Sequence, residues 1–449
     1  MSNNILIKKG LDIKLKGRAD KVLAEVDIDQ YALKPTDFPG VFPKLLVKAG
    51  DKVKAGTPVF FDKYRENIKF PSPVSGTVTE VIRGAKRKML EIRIESDGAG
   101  EYEDFGKAAV SALSREQIVE KLLESGLWTF IKQRPYGVIA NPDDKPKNIF
   151  ISAFDTAPIG ADWDFIVEGY GDDFQEGIDA LAKLTDGKVH LSVHADKTKS
   201  PVFIDASNVV LHKFSGPHPT GLVGIQIAHI DPINKGDIVW TLDPQAVIFI
   251  GRLFNKGVYD SSRVVALAGS EVKSPKYYKV RNGISIANLV KDNVGDGELR
   301  YISGNVLTGS KIERAGYLSH YDFMISVIPE GNYQLPFGWL IPRPWKHSFY
   351  RTAFSWLTPN KEYRLDTNLN GGERAFVVTG AMEKVLPMDI YVIPLMKAII
   401  AEDIDKMENL GIYELLEEDI ALCEYISTSK INMQDLLRKG LDLIRKELS

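Results

Sequence analysis

Residues 45–61, LLVKAGDKVKAGTPVFF, and residues 70–82, FPSPVSGTVTEVI, decide the fold of the first part of the chain. In both stretches, short runs of alternating apolar and polar residues are separated by Gly-Asp, Ser-Pro and Ser-Gly dipeptides, which are typical of turns. The same alternation of short runs and turn dipeptides extends from Phe38 to Ile94. This part of the chain is therefore predicted to form a compact domain of short β-strands.

The spacing of these turns resembles that of the biotinyl/lipoyl-carrier domain, in which two halves form a flattened barrel. By this resemblance the modified lysine would fall near Arg65, in the sequence DKYRENIKF. A guanidinium group has no easily deprotonated amine that could be acylated, and the residues around the neighbouring Lys63 do not match a modification motif. We expect a barrel without a modified lysine, with a carrier-domain protein as the alternative.

The sequence after the barrel predicts an α/β unit. Residues 114–117 (SREQ) have the pattern of a capping box, and Gly126 is placed to end the helix. A strand from Asn148 to Phe154, a helix from about Asp173 to Thr185 and a strand VHLSVH follow in order. Alternating strands and helices of this kind predict a parallel, Rossmann-like sheet.

The remainder of the chain predicts a small β-grasp fold and a helical end. From Arg263 to about Ile325 the sequence contains VVALAGSEV, a short helix SIANLV and LRYISGNVLTG. A Pro- and Trp-rich connection, LPFGWLIPRPW, precedes helical residues. These residues are predicted to form two apolar faces. The first consists of Ile399, Ile400, Ile404, Met407 and Leu410, and the second of Leu436, Leu437, Leu441 and Ile444.

Together these parts predict an α+β multidomain chain. The expected units are an N-terminal segment with a biotinyl/lipoyl-like barrel-sandwich domain (1–100), a Rossmann-like α/β domain (101–257), a β-grasp domain of the SLBB type (258–330), and a connector with a helical C-terminal domain (331–449).

Composition excludes several classes of protein. The 449 residues include 57 Lys and Arg and 60 Asp and Glu, a net charge of −3, without the basic excess of a nucleic-acid binder. One cysteine excludes a disulfide framework, a cysteine-ligated zinc site and an iron–sulfur cluster held by this chain alone. The sequence shows no transmembrane span and no signal peptide, so we expect any membrane association to depend on a partner.

The usual motifs of catalysis and metal binding are weak or missing. His190 and His194 have a metal-ligand spacing on a helix, but on the predicted strand they would lie about 13 Å apart. Residues 169–172 (GYGD) begin like a dinucleotide fingerprint but lack its third glycine, which favours an ordinary loop before a helix. The sequence contains no Walker A loop and no GxSxG elbow, and we assign no catalytic, metal or cofactor-binding residue.

Each of three further segments has two interpretations, and both stay open. The aromatic and cationic side chains of Leu127–Gly137 (LWTFIKQRPYG) could hold a flat quinone ring and its carbonyl oxygens, or the loop could pack between domains. The segment SGPHPTG holds His218 between two prolines, which suits a rigid turn or a preorganised contact. The basic run Arg83–Lys88 fits a solvated hairpin or an attraction to anionic lipid or RNA.

Over essentially its whole length the sequence resembles the A-subunit family of the Na⁺-translocating NADH:quinone oxidoreductase (Na⁺-NQR). Matching stretches include FPGVFPKLLVKAGDKV, AFDTAPIGAD, FSGPHPTGLVG, HIDPINKGDIVWTLDPQAVIFIGRLF and GGERAFVVTGAMEKVLPMDIYVIPL. The resemblance implies a peripheral subunit on the cytoplasmic face of the bacterial inner membrane. It belongs to a respiratory complex that passes electrons from NADH to ubiquinone or menaquinone and exports Na⁺. By the same resemblance, the flavins, iron centres and NADH site belong to other subunits, the partners of this chain.

Architectural relatives of this family carry a glycine-rich flavin loop after the helix that ends here at Gly126, where this chain has the bulky WTFIKQRPYG. A second cysteine expected four residues after Cys423 is Ser427. The resemblance thus implies a scaffold without its own redox cofactor, which engages quinone or stabilises the complex. The alternative is an autonomous flavin- or NADH-binding oxidoreductase of the complex I flavoprotein-subunit type.

Five residues are predicted to lie near quinone: Trp128, Phe130, Arg134 and Tyr136 in the aromatic loop, and His218 as a further candidate. If the loop residues form this surface, Trp128→Ala is expected to weaken the binding of a soluble quinone analogue and to leave the fold intact.

Overall fold

The computed structural model describes residues 4–337, 345–351 and 354–448. Residues 338–344 of the predicted connection LPFGWLIPRPW lie outside the described residues. The first two strands are β1 (Asn4–Leu6) and β2 (Asp20–Glu25). Each of them joins a sheet that is otherwise built from a later part of the chain.

The predicted barrel consists of two small antiparallel sheets. Its strands are β3 (Gln30–Leu33), β4 (Pro43–Leu45), β5 (Lys52–Val53), β6 (Pro58–Asp62), β7 (Arg65–Pro71), β8 (Gly76–Arg83) and β9 (Met89–Ser96). One sheet has the order β3-β9-β8-β5 and the other β4-β6-β7. The rings of Phe60 and Phe70, both buried, stack with centroids 4.2 Å apart in the core. The basic run Arg83–Lys88 connects β8 to β9, which confirms the predicted hairpin.

The next unit is a mixed seven-stranded sheet with helices. Its elements are α1 (Arg115–Ser125), β10 (Lys132–Arg134), β11 (Val138–Ile139), β12 (Ile149–Ser152), α2 (Trp163–Ile166), α3 (Gly171–Ala182), β13 (Val189–His194), α4 (Pro201–Ile204), β14 (Val210–Ser215), α5 (Val223–Ile230), β15 (Val239–Leu242) and α6 (Pro244–Lys256). The sheet order is β1-β14-β13-β12-β15-β10-β11, and the first five strands are parallel. The Rossmann-like prediction is confirmed.

Local sequence explains where several of these elements begin and end. The Ser114 side chain accepts a hydrogen bond from the backbone N–H of Gln117, whose side chain bonds back to the Ser114 N–H, so the predicted capping box is present. Gly126 ends α1 in the left-handed conformation, at φ 77°. The sequence VHLSVH forms β13, and its six side chains are all buried. Strand geometry therefore separates His190 from His194, as predicted.

Helices α3 and α6 approach each other closely through two glycines. A Cβ atom on Gly177 would lie 2.1 Å from the Val247 carbonyl oxygen, and one on Gly251 would lie 1.7 Å from the Asp173 carbonyl oxygen. Both distances are far inside van der Waals contact, and both neighbours are backbone atoms. The two helices therefore pack backbone against backbone at this crossing.

Gly251→Ala is expected to lower the free energy of unfolding of the α/β unit by about 1–3 kcal/mol, because the added methyl group would force the two helices apart. Thermal unfolding followed by circular dichroism measures the effect. Gly171→Ala, at the start of α3, is the matched control, because its Cβ would meet only the Val202 side chain, at 3.7 Å. Equal transition temperatures for Gly251→Ala and the control would contradict the close helix crossing.

The third unit has the predicted β-grasp character. Its elements are β16 (Ser262–Ala268), β17 (Lys276–Arg281), α7 (Ala287–Val290), β18 (Leu299–Ser303), β19 (Ser310–Ile312) and β20 (Met324–Pro329). The sheet order is β19-β18-β20-β16-β17-β2, so β2 forms one edge by parallel pairing with β17. The short helix predicted within SIANLV is α7.

The C-terminal part is helical, as predicted, but one predicted apolar face is wrong. The helices are α8 (Val392–Ile400), α9 (Ile404–Asn409), α10 (Glu417–Ile426) and α11 (Met433–Leu448). The Asp403 side chain caps a new helix by accepting from the Lys406 N–H, so residues 399–410 do not share one helical face. Ile400 is 58% exposed as a result. In α11, the predicted residues Leu437, Leu441 and Ile444 are buried.

Two large apolar clusters fill the described structure. One runs through the barrel, the α/β unit and the β-grasp unit, and the other joins the C-terminal helices to α5 and Phe150. The segment after α1 supplies residues to both, because Trp128 and Phe130 belong to the first and Tyr136 packs against the second. Among the described residues, no helix combines the length and apolar character required to span a bilayer.

Candidate functional site

The aromatic loop, residues 127–137, lies where the units of the chain meet. It begins as a 3₁₀ turn, Leu127–Phe130, directly after Gly126, and continues into β10. A Cβ atom on Gly126 would lie 2.4 Å from Cδ of Pro71 in the barrel. The loop therefore enters the molecule in close contact with the barrel.

Trp128 is a core residue of this loop. Its side chain is fully buried, and its indole N–H donates a 2.8 Å hydrogen bond to the Ala140 carbonyl oxygen. The ring meets Trp240 of β15 edge-on, with centroids 5.3 Å apart. These contacts secure the loop to the sheet and leave the ring without an exposed face.

Phe130 stacks on an imidazole that belongs to the β-grasp unit. The Phe130 and His320 rings are 4.2 Å apart and inclined by 27°. Phe38 of the barrel contacts the same imidazole edge-on at 4.8 Å. His320 is buried, and this burial, the largest cause, lowers its pKa well below the usual value, with a further contribution from Arg263. The neutral ring therefore joins three units of the chain.

A small network of buried polar groups surrounds His320. Asn282 Nδ2 lies 2.9 Å from His320 Nδ1, and the Asn282 oxygen accepts a 3.0 Å hydrogen bond from Arg263. The His320 backbone N–H donates to Asp37 at 2.8 Å, and burial raises the Asp37 pKa to about 6. The cavity beside these groups has a volume of about 10 Å³, enough for about one water molecule.

Arg134 forms a buried clamp with α10. Its guanidinium donates to Asp419 at 2.7 Å and to Glu418 at 2.6 Å, and Arg134 and Asp419 are each 1% exposed. Burial raises the Asp419 pKa to about 6, although Arg134 opposes the shift. Gly224 allows the approach, because a Cβ there would lie 2.3 Å from an Asp419 oxygen. This ion pair joins the aromatic loop to the helical end.

Tyr136 is the predicted loop residue whose side chain reaches solvent, since it is only partly buried. Its ring packs edge-on against Tyr413 at 6.2 Å, and its carbonyl oxygen accepts a 2.7 Å hydrogen bond from Arg438. Tyr413 in turn donates a hydrogen bond to Glu408, which pairs with Lys235 at 2.8 Å. Burial, the largest cause, raises the Tyr136 pKa, so the phenol is protonated at neutral pH.

His218 lies away from the loop, against the N-terminal segment. Its Nδ1 is 3.1 Å from the Thr156 hydroxyl, its N–H donates to Asp12 at 2.9 Å, and its carbonyl oxygen accepts from the Leu11 N–H at 2.8 Å. Burial lowers the His218 pKa to about 4. The structure therefore places Trp128 and Phe130 in the core, Arg134 and Tyr136 at the helical end, and His218 elsewhere.

A second opening lies between the N-terminal segment and the helical end. It encloses about 350 Å³ and is lined by residues that include Leu6, Lys8, His229 and Met388. Its volume is in the range of small-molecule pockets, but its ionisable groups are exposed at the surface. We assign it no ligand.

The described residues contain no group of three or more His, Cys, Asp or Glu side chains that could hold a metal ion. His190 and His212 form a buried pair, with Nδ1 of the first 2.9 Å from Nε2 of the second. Burial lowers the His190 pKa to about 4. Cys423 is fully buried in α10, and burial raises the pKa of its thiol. Both features are consistent with residues that pack in the core.

The sequence interpretation missed the junction around His320. The signal was the run Ser319-His-Tyr-Asp322 between Leu318 and Phe323, four polar or amphipathic residues within an apolar stretch. Apart from the adjacent Tyr321 ring, the partners of His320 come from distant parts of the chain, so sequence spacing alone did not connect them.

Comparisons with known proteins agree with the fold along most of the chain. Three family descriptions match: "NqrA N-terminal barrel-sandwich hybrid domain" at residues 5–97, "NqrA second alpha/beta domain" at 113–259 and "NQRA C-terminal domain" at 264–314. A solved structure of a NAD⁺-reducing [NiFe]-hydrogenase is similar over 50% of this chain and 48% of that chain, at 13% identity and a TM-score of 0.35. That likeness is too low to support a functional statement.

Curated relatives match the whole chain. The A subunit of the Na(+)-translocating NADH-quinone reductase of Neisseria meningitidis serogroup A is 38% identical over 449 residues, covering 99% of this chain and all of the relative. The proteins of the same name from Hahella chejuensis and Pasteurella multocida are also 38% identical, with the same coverage. At this identity and coverage, the chain belongs to the A-subunit family of the Na⁺-translocating NADH-quinone reductases.

Proposed function

We propose that this chain is a peripheral subunit of a Na⁺-translocating NADH:quinone oxidoreductase and supports quinone reduction coupled to Na⁺ export. The observation that carries the proposal is the match over the full length to relatives of that name, at 38% identity. The partners are the other subunits of the complex, and its place is the cytoplasmic face of the inner membrane. Loss of NADH-driven quinone reduction in membranes that lack the chain is the test.

We further propose that the chain contributes no redox cofactor of its own. The close backbone approach that flavin phosphate requires is provided by glycine-rich loops. Here the segment after α1 is filled by Trp128 and Phe130, both at most 2% exposed. For this reason we do not propose the autonomous flavin- or NADH-binding oxidoreductase. The flavins and iron centres of the complex are assigned to its other subunits.

For quinone, we propose that Tyr136 makes the contact and that Trp128, Phe130 and Arg134 are positioning residues. A quinone carbonyl oxygen accepts hydrogen bonds, and a protonated phenol can donate one. Tyr136 is partly exposed, whereas the other three loop residues are at most 2% exposed. His218, at 3% exposure, is proposed as a positioning residue for the N-terminal segment.

Tyr136→Phe is expected to weaken the binding of a short-tailed, water-soluble quinone about fivefold, because the variant keeps the ring and loses one hydrogen-bond donor worth about 1 kcal/mol. Isothermal titration of the purified full chain measures the dissociation constant. Tyr391→Phe, at a tyrosine that is 63% exposed, is the matched control.

Equal affinities for Tyr136→Phe, Tyr391→Phe and the wild type would retire the assignment of Tyr136. If the wild-type chain gave no detectable heat in two buffers of different ionisation enthalpy, we would conclude that the chain is a docking scaffold. The quinone site would then lie in a membrane partner.

A further inference from the structure

The outer sheet of the barrel carries an exposed surface that the proposed function does not use. We call it the barrel face and define it as Phe42, Lys44, Leu46, Phe61, Lys63, Tyr64 and Lys69. Phe42, Leu46 and Tyr64 are 56%, 52% and 68% exposed. Phe42 and Leu46 flank β4, and Tyr64 lies in the turn between β6 and β7. Three large apolar side chains so exposed at the strand ends of one small sheet are unusual for a surface that meets only water.

The register of the sheet places three members of the barrel face side by side. Lys44 of β4 pairs with Phe61 of β6, and Phe61 pairs with Lys69 of β7, so these three side chains point to the same side of the sheet. The opposite side carries Phe60 and Ile68, which are fully buried in the barrel core. The exposure of the outer side is therefore fixed by the fold.

Aromatic rings and lysine side chains alternate on this surface. The Phe42 and Tyr64 rings meet edge-on with centroids 4.9 Å apart. Lys44 Nζ lies 5.5 Å from the centre of the Phe61 ring, and Lys63 Nζ lies 5.6 Å from the centre of the Tyr64 ring. Each ammonium group thus lies over an aromatic ring, within the range of a cation–π contact.

The two chain segments that carry the barrel face have a charge opposite to that of the whole chain. Residues 42–48 and 61–69 contain five cationic side chains, at positions 44, 48, 63, 65 and 69, and two acidic ones, at 62 and 66. Arg65 and Asp62 pair with each other at 3.0 Å, which leaves four lysines against Glu66. The whole chain has a net charge of −3, so this is a local positive patch.

We propose that the barrel face binds directly to an anionic phospholipid surface. Tyrosine and phenylalanine rings with flanking lysines suit the headgroup level of a bilayer, where the rings enter the interface and the ammonium groups meet phosphate and carboxylate groups. Protein–protein interfaces are instead depleted in lysine, which favours lipid over an acidic protein as the occupant. The binding adds to the partner-mediated attachment of the proposed function and does not depend on it.

The test is flotation of the purified full chain with protein-free vesicles. We expect the chain to float with phosphatidylcholine vesicles that contain phosphatidylserine, and to lose binding when phosphatidylserine is omitted or salt is raised to about 1 M, which screens surface charge. Lys44→Glu with Lys63→Glu should lower the partition coefficient at least about tenfold, because each basic residue near an anionic surface contributes about fivefold.

Two further variants separate the barrel face from general charge effects. Phe42→Ser with Tyr64→Ser should weaken partitioning at unchanged net charge. Lys279→Glu with Lys291→Glu changes the charge by the same amount on the exposed part of the β-grasp unit and should leave partitioning close to that of the wild type.

Three results would overturn the proposal. The first is no flotation of the wild-type chain with anionic vesicles at low salt. The second is an equal loss for the barrel-face and β-grasp lysine pairs. The third is binding to native membranes without binding to vesicles made from their extracted lipids, which would identify the occupant as an acidic membrane protein. None of these results bears on whether the chain supports quinone reduction.

Discussion

Arg134→Met is expected to lower the free energy of unfolding by about 3–5 kcal/mol at about pH 8, because it leaves a buried carboxylate without its partner. Arg134 and Asp419 are each 1% exposed and joined by a 2.7 Å hydrogen bond. The clamp connects the last residue of β10 to α10, so its loss should loosen the helical end from the α/β unit.

The pH dependence of this effect has a defined sign. Burial raises the Asp419 pKa from 3.8 to about 6, so the folded state binds this proton more readily than the unfolded state does. The penalty of the charged carboxylate is therefore absent below about pH 4 and appears as the pH rises through about 6. Without Arg134 the folded-state pKa rises further. The destabilisation should accordingly be large at about pH 8 and smaller at about pH 5.

Urea unfolding of the wild type and variants at the two pH values measures this difference. Arg134→Met with Asp419→Asn should recover part of the lost stability, because the buried charge is removed with its partner. Arg314→Met, at an exposed position, is the control for the loss of an arginine. A loss that is the same at both pH values, or that stays below about 1 kcal/mol, would refute the buried clamp.

Trp128→Ala is expected to lower the free energy of unfolding by about 3–5 kcal/mol through loss of apolar contacts and formation of a cavity beside Trp240. Trp128 is fully buried and donates to Ala140. Because the Trp128 side chain is buried, a change in the quinone affinity of this variant would not by itself identify a contact. Trp356→Ala, at a tryptophan that is 54% exposed, provides the comparison.

Thermal unfolding of both tryptophan variants, followed by near-ultraviolet circular dichroism, measures the effect. Trp128→Phe should recover much of the stability, because the smaller ring still fills most of the space. If Trp128→Ala unfolded at the same temperature as Trp356→Ala, the assignment of Trp128 to the core would have to be abandoned.

Local patterns explain the parts of the fold that the sequence predicted correctly. A capping box needs only residues 114–117, and the β8–β9 hairpin only its turn residues, so both were predictable from neighbours in the chain. Strand β13 was recognisable because Val189, Leu191 and Val193 alternate with polar residues. Each of these signals has a range of a few residues.

Long-range pairing explains most of what the sequence did not reveal. Strand β1 pairs with β14 and β2 pairs with β17, although more than 200 residues separate the partners. One helix ends at Ile400, and the Asp403 side chain caps the start of the next. The regular spacing of apolar residues from Ile399 to Leu410 did not indicate this break.

The aromatic loop shows the same limit at the candidate site. A cluster of aromatic and cationic residues after a helix stop has the same sequence whether it faces a ligand or a neighbouring unit. Only the partners of Phe130 and Arg134 decide between these cases. The partner of Phe130 is His320, 190 residues further along the chain, and the partner of Arg134 is Asp419, 285 residues further along. The structure assigns these two side chains to contacts between units.

The proposed function requires this chain for quinone reduction by the Na⁺-translocating complex. The decisive measurement is NADH-driven quinone reduction in membranes from a strain that lacks the chain, beside the same strain with the wild-type gene restored. We expect loss of quinone reduction and its recovery, while NADH oxidation by an artificial electron acceptor persists through the other subunits. Unchanged quinone reduction in the deletion strain would show that the complex does not need this chain.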